Sequence, residues 1–384
     1  MVQTREYKNS GERISLLGFG GIRLPSVAEG SQEIDKKKLG EMVDYAISRG
    51  VNYFDSAYNY HGGTSESCIG EALSGHPRHK FNIATKMPSL GYLKSESDLD
   101  HIFNEQLKRW RVDFFDFYLL HNVNRGTLPV FDEYHVYDFL KEKQRQGLIR
   151  HLGFSFHDGP ALLQEITGRH NFDFAQIQLN YLDWELQDVK TQYKILKEKQ
   201  IPITVMEPVR GGMLATLCRE SVEILKNVNP MASTASWALR YAASFPEVLT
   251  VLSGMSNMMQ LKDNVATFEY FKPLTREELK TIKKAKTIYR GLLKIPCTSC
   301  RYCIACPKDI DIPAVFASYN SYSLSGNEKK IGKENFLFRY EILSPGKRAD
   351  SCIRCNQCTH HCPQHIDVPY WMNIINEFYK RAVL

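Results

Sequence analysis

Four polar side chains, Asp55, Tyr60, Lys86 and His121, carry the types needed to hand a proton to a carbonyl oxygen. A free phenol titrates near pH ~10 and is a weak acid at neutral pH. An ammonium group buried beside it favours the phenolate and lowers that value. A carboxylate paired with the ammonium keeps it charged and oriented. An imidazole near the same point orients the carbonyl oxygen or helps relay the proton. Together they describe a proton donor facing a carbonyl that receives a hydride. Singly, each has a plainer role: the aspartate as a helix cap or turn residue, the lysine as a solvated loop charge, the histidine as a satisfied core residue. Their setting argues for the joint role. Asp55 lies in NYFDSA (52–57) with Tyr60 five residues on, Lys86 in FNIATKM (81–87), and His121 at the end of DFFDFYLLH (113–121).

A second chemistry lies in the cysteines. There are ten, and eight fall between Cys297 and Cys362; only Cys68 and Cys218 lie elsewhere. A secreted disulfide framework spreads over a short chain, whereas two tight runs argue for metal ligation in a reducing compartment. The first run is CTSCRYCIACP, with Cys297, Cys300, Cys303, Cys306 and Pro307. The second is CIRCNQCTHHCP, with Cys352, Cys355, Cys358, Cys362 and Pro363. The second fits C-x2-C-x2-C-x3-C-P, the bacterial ferredoxin signature, in which the fourth cysteine ligates the other cluster. The first is one residue shorter before its last cysteine. The spacing therefore assigns Cys297, Cys300, Cys303 and Cys362 to one [4Fe–4S] cluster, and Cys352, Cys355, Cys358 and Cys306 to another. Zinc held by paired CxxC thiolates is the alternative, but it leaves the triplets and the prolines unexplained.

The elements that must position these groups alternate. Strand candidates at 14–20, 52–57, 81–87, 113–121, 151–156, 174–180, 203–208 and 248–254 are separated by amphipathic helix candidates. In the first helix Leu39, Met42, Val43, Ala46 and Ile47 recur at helical spacing before Gly50. Eight βα units in about 260 residues predict an α/β fold of the (β/α)8 barrel type, whose chemistry sits at the carboxyl ends of the strands. GFGGIR (18–23) lacks the dinucleotide fingerprint spacing. The expected organisation is a barrel over 1–272, a linker helix over 273–294 and a small, mainly α-helical ferredoxin-like iron–sulfur domain over 295–384. No internal repeat is evident beyond the βα alternation. SGMSN (253–257), opening a helix after the eighth strand, offers backbone N–H groups to a phosphate.

From FDSAYNY, ATKMP and DFYLLHNV, residues 10–270 resemble the aldo-keto reductase superfamily, and the whole chain resembles its subgroup with a C-terminal ferredoxin-like domain. The resemblance implies that Asp55, Tyr60, Lys86 and His121 are the catalytic tetrad. It implies further that Ser155 of HLGFSF and Gln176 of FAQIQLN hold a nicotinamide carboxamide. Ser253, Gly254, Ser256 and Asn257 would face the cofactor's phosphates, with Asn264 on the adenine side. This chain departs from the pattern in several places. Phe156 stands where the family has an asparagine, Met206 or Glu207 where many members stack a tyrosine, and Gly254 and Gln260 near the usual basic pair for a 2′-phosphate. Arg210, from the neighbouring loop, is the expected substitute.

The formal net charge is +6 with no dominant Lys/Arg block, so nucleic acid is not an expected partner. No apolar run approaches a membrane span, and MVQTREYKNSGER has no apolar core of a signal peptide. A cytoplasmic location is expected. The expected activity is reduction of a small-molecule aldehyde, ketone or related carbonyl by NADP(H) or NAD(H), coupled to the clusters. Clusters move single electrons and a nicotinamide moves two, so a converter such as FMN is a further candidate cofactor. Two alternatives stand beside this. One is a reductase fed by ferredoxin or another redox protein; the other is a non-catalytic redox-sensing or binding subunit.

Overall fold

The computed structural model describes residues 1–8, 10–28, 31–89, 91–303, 306–326 and 329–384. Contacts divide the chain into two compact units: Met1–Pro208 with Ser236–Leu274, and Val209–Ala235 with Thr275–Leu384.

The first unit is a closed barrel of eight parallel strands in sequential order. They are β1 (Leu17–Gly20), β2 (Tyr53–Asp55), β3 (Asn82–Met87), β4 (Phe115–Val123), β5 (Ile149–Phe156), β6 (Phe174–Gln178), β7 (Ile203–Met206) and β8 (Val248–Gly254), with β8 closing on β1. The strands are nearly wholly buried, as parallel strands covered by helices must be. The covering helices within this unit are α1 (Lys36–Ser48), α2 (Ser65–Leu73), α3 (Ser97–Trp110), α4 (Val136–Arg145), α5 (Pro160–Arg169) and α6 (Val189–Glu198), with two more near and after β8. Asp35 caps α1 by accepting from the Lys38 N–H, and Leu39, Met42, Val43 and Ala46 form its buried face. A short antiparallel pair, Thr4–Glu6 with Arg13–Ser15, precedes the barrel. The apolar run expected as one strand over 14–20 is thus split between two sheets.

The second unit is helical. Beyond α7 (Arg219–Val228) it holds α8 (Arg276–Leu292), α9 (Ile312–Ser323), α10 (Lys329–Glu341) and α11 (Val368–Val383). Its core gathers Ile295, Ile310, Val315, Phe316, Phe336 and Ile375. Ile295 and Asn320 exchange two hydrogen bonds, 3.0 and 2.7 Å, which pin the chain before the first cysteine run to α9.

The boundaries differ from the sequence expectation in two ways. Residues 209–235 group with the second unit. The segment read as a linker is a packed helix: α8 buries Thr281, Ile282, Ala285 and Tyr289 and lies against α7, whose Ser221 hydroxyl donates to the Ala285 carbonyl at 2.8 Å. A capping box starts it, with the Thr275 hydroxyl and Glu278 carboxylate each accepting from the other's N–H.

The second unit also corrects the expectation of no further repeat. Cys306-Pro307 is followed by Ile310-Asp311-Ile312-Pro313, and Cys362-Pro363 by Ile366-Asp367-Val368-Pro369. In both copies the aspartate caps the next helix: Asp311 accepts from the Ala314 N–H at 3.2 Å, and Asp367 from the Tyr370 N–H at 3.1 Å. The repeat is short, and the sequence after each copy differs.

Candidate active site

The parallel register carries Asp55, Lys86 and His121 to the carboxyl end of the barrel. Gly20 pairs with Asp55, Asp55 with Ala84, and Lys86 with Leu119. Alternation along β3 turns Lys86 to the opposite face from Thr85. Lys86, fully buried, donates from Nζ to both oxygens of Asp55 at 2.7 and 2.8 Å and to the Ser56 carbonyl at 2.6 Å. Burial pushes the Asp55 carboxyl up and the Lys86 ammonium down, and their mutual attraction opposes both shifts. Three short contacts to full or partial negative charge keep the ammonium charged. The same Nζ lies 5.4 Å from the centre of the Tyr60 ring.

Tyr60 opens a turn that includes His61 and Gly62 at φ +50° and +62°. His61 anchors that turn, its Nε2 accepting from the Leu24 N–H at 3.2 Å and its Nδ1 lying 3.2 Å from the Gln32 carbonyl. His121 stands edge-on to Tyr60, ring centres 5.8 Å apart at 76°. The register of β4 against β5 shifts between Leu120 and Val123, and Asn122 sits at φ +58°. This bulge re-aims His121 next to Tyr60. The Ser155 hydroxyl secures it by accepting from the Asn122 N–H at 2.7 Å. Burial, with Lys86 and His157 nearby, pushes the His121 imidazole well below its usual range, so it is neutral and can donate one hydrogen bond.

The residues expected to hold a nucleotide fall into three groups. Ser155 and Gln176 are paired neighbours on β5 and β6. Gln176 accepts from the Thr204 hydroxyl at 3.5 Å and points its amide at the Met206 sulfur, 3.8 Å away. Ser253 and Asn264 are bonded to each other, buried, at 2.9 Å, and so brace the loop after β8. Gly254, Ser256 and Asn257 form that loop. Asn257 caps the helix that follows, accepting from the Gln260 N–H at 3.0 Å, while the Ser256 N–H is bonded to the Gln260 side chain at 2.8 Å. Arg23 crosses this loop: its carbonyl accepts from the Ser256 hydroxyl, a Cβ on Gly254 would meet it at 3.1 Å, and its guanidinium lies 3.4 Å from Glu207.

Arg210, the expected substitute for the basic pair, has partners of its own. It belongs to the second unit, where its guanidinium donates to the Pro296 carbonyl at 3.0 Å and to the Gln364 carboxamide at 3.1 Å. Three successive left-handed residues, Arg210, Gly211 and Gly212, turn the chain there.

Cys297, Cys300, Cys303 and Cys362 line one recess, with Ile312, Phe316 and Val368 among its apolar walls. Cys306, Cys352, Cys355 and Cys358 line another, with Ile310, Val368 and Met372. No disulfide joins these cysteines. Burial pushes the Cys297 and Cys358 thiols up to about 11, so a group that takes them as thiolates must displace their protons.

The sequence profile of the Aldo/keto reductase family matches residues 16–287, and that of the 4Fe-4S dicluster domain matches residues 296–366. The chain belongs to the aldo/keto reductase family. It is similar to the uncharacterized oxidoreductase YqkF of Bacillus subtilis, 26% identical over 70% of this chain and 94% of that protein. Among solved structures, the holo form of aldo-keto reductase AKR11C1 from Bacillus halodurans is 26% identical with a TM-score of 0.61, covering 74% of this chain and 96% of that one. An aldo-keto reductase from Klebsiella pneumoniae, solved in complex with NADPH, shares the fold at TM-score 0.60 and 18% identity, covering 75% and 95%.

Two residues of this aldo/keto reductase escaped the sequence reading. Glu66 of α2 is fully buried behind β3, bonded to Gln106 at 2.7 Å, to Arg109 at 3.1 Å, to Trp110 at 3.3 Å and to the Thr85 hydroxyl. It fixes the strand that carries Lys86. An acid on the apolar side of SESCIGEAL was the available signal. His157, just past β5, adds a second neutral imidazole: burial and Lys86 pull it down to about 4. It follows Phe156, one residue beyond HLGFSF.

Proposed function

We propose that this aldo/keto reductase reduces an aldehyde, ketone or related carbonyl to the alcohol, Tyr60 giving the proton. NAD(P)H, when bound, supplies the hydride to the carbonyl carbon. The supporting observation is the Tyr60–Lys86–Asp55–His121 grouping at the carboxyl end of the barrel. His121, neutral and buried, donates to the carbonyl oxygen and holds it toward Tyr60. The Tyr60 hydroxyl releases its proton as charge develops on that oxygen. Lys86, held charged by Asp55, stabilises the phenolate left behind. Ser155 and Gln176 would orient the carboxamide of a nicotinamide, and the loop at Gly254, Ser256 and Asn257 would take its phosphates. An NADPH-bound protein of the same fold supports this choice of cofactor.

Cys297, Cys300, Cys303 and Cys362 would hold one [4Fe–4S] cluster and Cys352, Cys355, Cys358 and Cys306 the other. Clusters held there would supply single-electron exchange with a redox partner protein. A second reading draws on Glu207, which stands at φ +52° beside the nicotinamide wall with one carboxylate oxygen buried and unpartnered. Met206 or Glu207 stands where the family stacks a tyrosine on a nicotinamide, and the alternative is electron entry through the clusters to a flavin such as FMN in the barrel, with Tyr60 still the proton donor.

The test is an anaerobic titration of the cluster-replete protein with NADPH and then NADH, beside the same titration of Tyr60→Phe. Consumption of nucleotide with a carbonyl acceptor, lost by about 10²-fold or more in the variant, is expected. Unchanged turnover in Tyr60→Phe sinks the assignment. Bleaching by dithionite but by neither nucleotide transfers support to the second reading.

A further inference from the structure

We propose that Arg210 is a positioning residue for one of the two iron–sulfur clusters, the one in the recess of Cys297, Cys300, Cys303 and Cys362, and that its charge makes this cluster the easier to reduce. The inference rests on the cluster reading above.

The Ile-Asp-Ile/Val-Pro repeat makes the two recesses near copies. Each is walled by three cysteines of one run, the fourth of the other, and the helix that follows an aspartate cap. Left to itself this symmetry gives two sites of similar environment. Arg210 breaks it. The residue before Cys297 is Pro296, whose carbonyl accepts from Arg210 Nη1 at 3.0 Å. The residue two past Cys362 is Gln364, whose carboxamide accepts from Nη2 at 3.1 Å. One guanidinium fork thus ties the two distant segments that must meet to close this recess. Gly211 packs directly behind it: a Cβ there would lie 2.0 Å from the carbonyl oxygen of Thr298, the residue after Cys297. The repeat equivalents in the other recess are Ser351, before Cys352, and Lys308, two past Cys306. Lys308 is exposed, and the cation lining that recess, Arg354, is exposed and bonded to Asn373.

Arg210 is 1% exposed, so water screens its charge little. A thiolate-ligated cubane becomes more negative by one unit on reduction. A buried cation and its hydrogen-bond partners next to the ligand loops favour that reduced state, in the way net charge and hydrogen bonding set cluster potentials. The arrangement orders the two clusters in energy.

The experiment is a redox titration of the full chain, purified anaerobically, followed by low-temperature EPR, with iron content measured on each sample. In Arg210→Gln one of the two reduction waves is expected to move to lower potential by about tenfold in the reduced-to-oxidised ratio, ~59 mV for one electron. The other wave stays, and iron content holds. Arg210→Lys, which keeps the charge, leaves both waves near their original positions. Should Arg210→Gln fail to retain iron, Gln364→Glu, which sets a carboxylate against the guanidinium, is expected to lower the same single wave. Both waves moving together, neither moving, or Arg210→Lys shifting as far as Arg210→Gln overturns the proposal. Absence of iron from the unaltered protein removes the cluster reading and this inference with it, and the iron assay separates that case from a failed shift.

Discussion

Lys86 and Asp55 are held together by geometry that neither would tolerate alone. A buried ammonium without its carboxylate is an uncompensated charge, and breaking such a pair costs about 3–5 kcal/mol. Asp55→Asn should therefore destabilise the barrel by that order, seen as a lower urea midpoint by circular dichroism. Asp55→Asn with Lys86→Met should recover part of the loss, because no charge is then stranded. A double variant less stable than the single one would contradict this. The imidazoles give a pH signature. His157 is held down to about 4 in the fold against about 6.5 in the open chain. Above that upper value both states are neutral and the residue has no effect. Between the two values the unfolded chain takes the proton more readily, so stability falls as pH falls through this window. His157→Gln should flatten the dependence between pH 6.5 and about 4 and leave stability at neutral pH little changed; parallel curves for the two proteins would count against it. Asp55, Lys86 and His121 were legible because each sits near a strand end that apolar patterning locates, with Tyr60 in the turn that follows the first of them. Glu66 and His157 were not, since their roles depend on which helix or loop packs behind the strand.

At the level of elements, the bulge in β4 and the turn at 210–212 do the positioning. The alternating pattern located β4 to within two residues, yet nothing in DFYLLHNV signals that Asn122 takes a left-handed conformation. The glycines of the turn separate two effects. Gly212 has φ +94° and open space around its Cα, so Gly212→Ala meets only backbone strain of about 1–2 kcal/mol. Gly211 has φ +65° and the Thr298 carbonyl in the way, so Gly211→Ala must also displace the loop that carries Cys297. Thermal unfolding with iron analysis should rank Gly211→Ala well below Gly212→Ala in both stability and bound iron. Equal behaviour would mean the loop is not held as described. Arg210 shows what spacing leaves open in this turn. Its position four residues past β7 suggested a phosphate contact. Which way the side chain faces is decided by three left-handed residues in a row, and only two of them are glycines.

For the whole molecule, the two units depend on different things. The barrel closes on its own hydrogen-bonded ring and a core of large apolar side chains. The second unit arranges its helices around two cysteine-lined recesses, and metal binding in such small units is folding free energy. Stripping iron with a chelator should raise hydrogen exchange over 297–303, Cys306 and 352–362 and in α9 and α11, while β1–β8 keep their protection. Loss of protection across the barrel as well would refute this independence. The fold class, the βα alternation and both cysteine runs were readable from spacing alone. The boundary at 209 was not, because the amphipathic pattern of α7 and α8 says that each helix has a partner without saying which.

The crossing of the cysteines, three from one run and one from the other in each recess, also sets an order of assembly. A ribosome that has released Cys297, Cys300 and Cys303 has made three sides of a container whose last side, Cys362, comes after nearly all of the second run. The other container already has its odd member, Cys306, and waits for its main three. Neither can be filled by a chain still short of Cys358, and only Cys362 completes the first. Filling of either recess is thereby tied to emergence of the second run, and a chain interrupted between the runs lacks members of both at once.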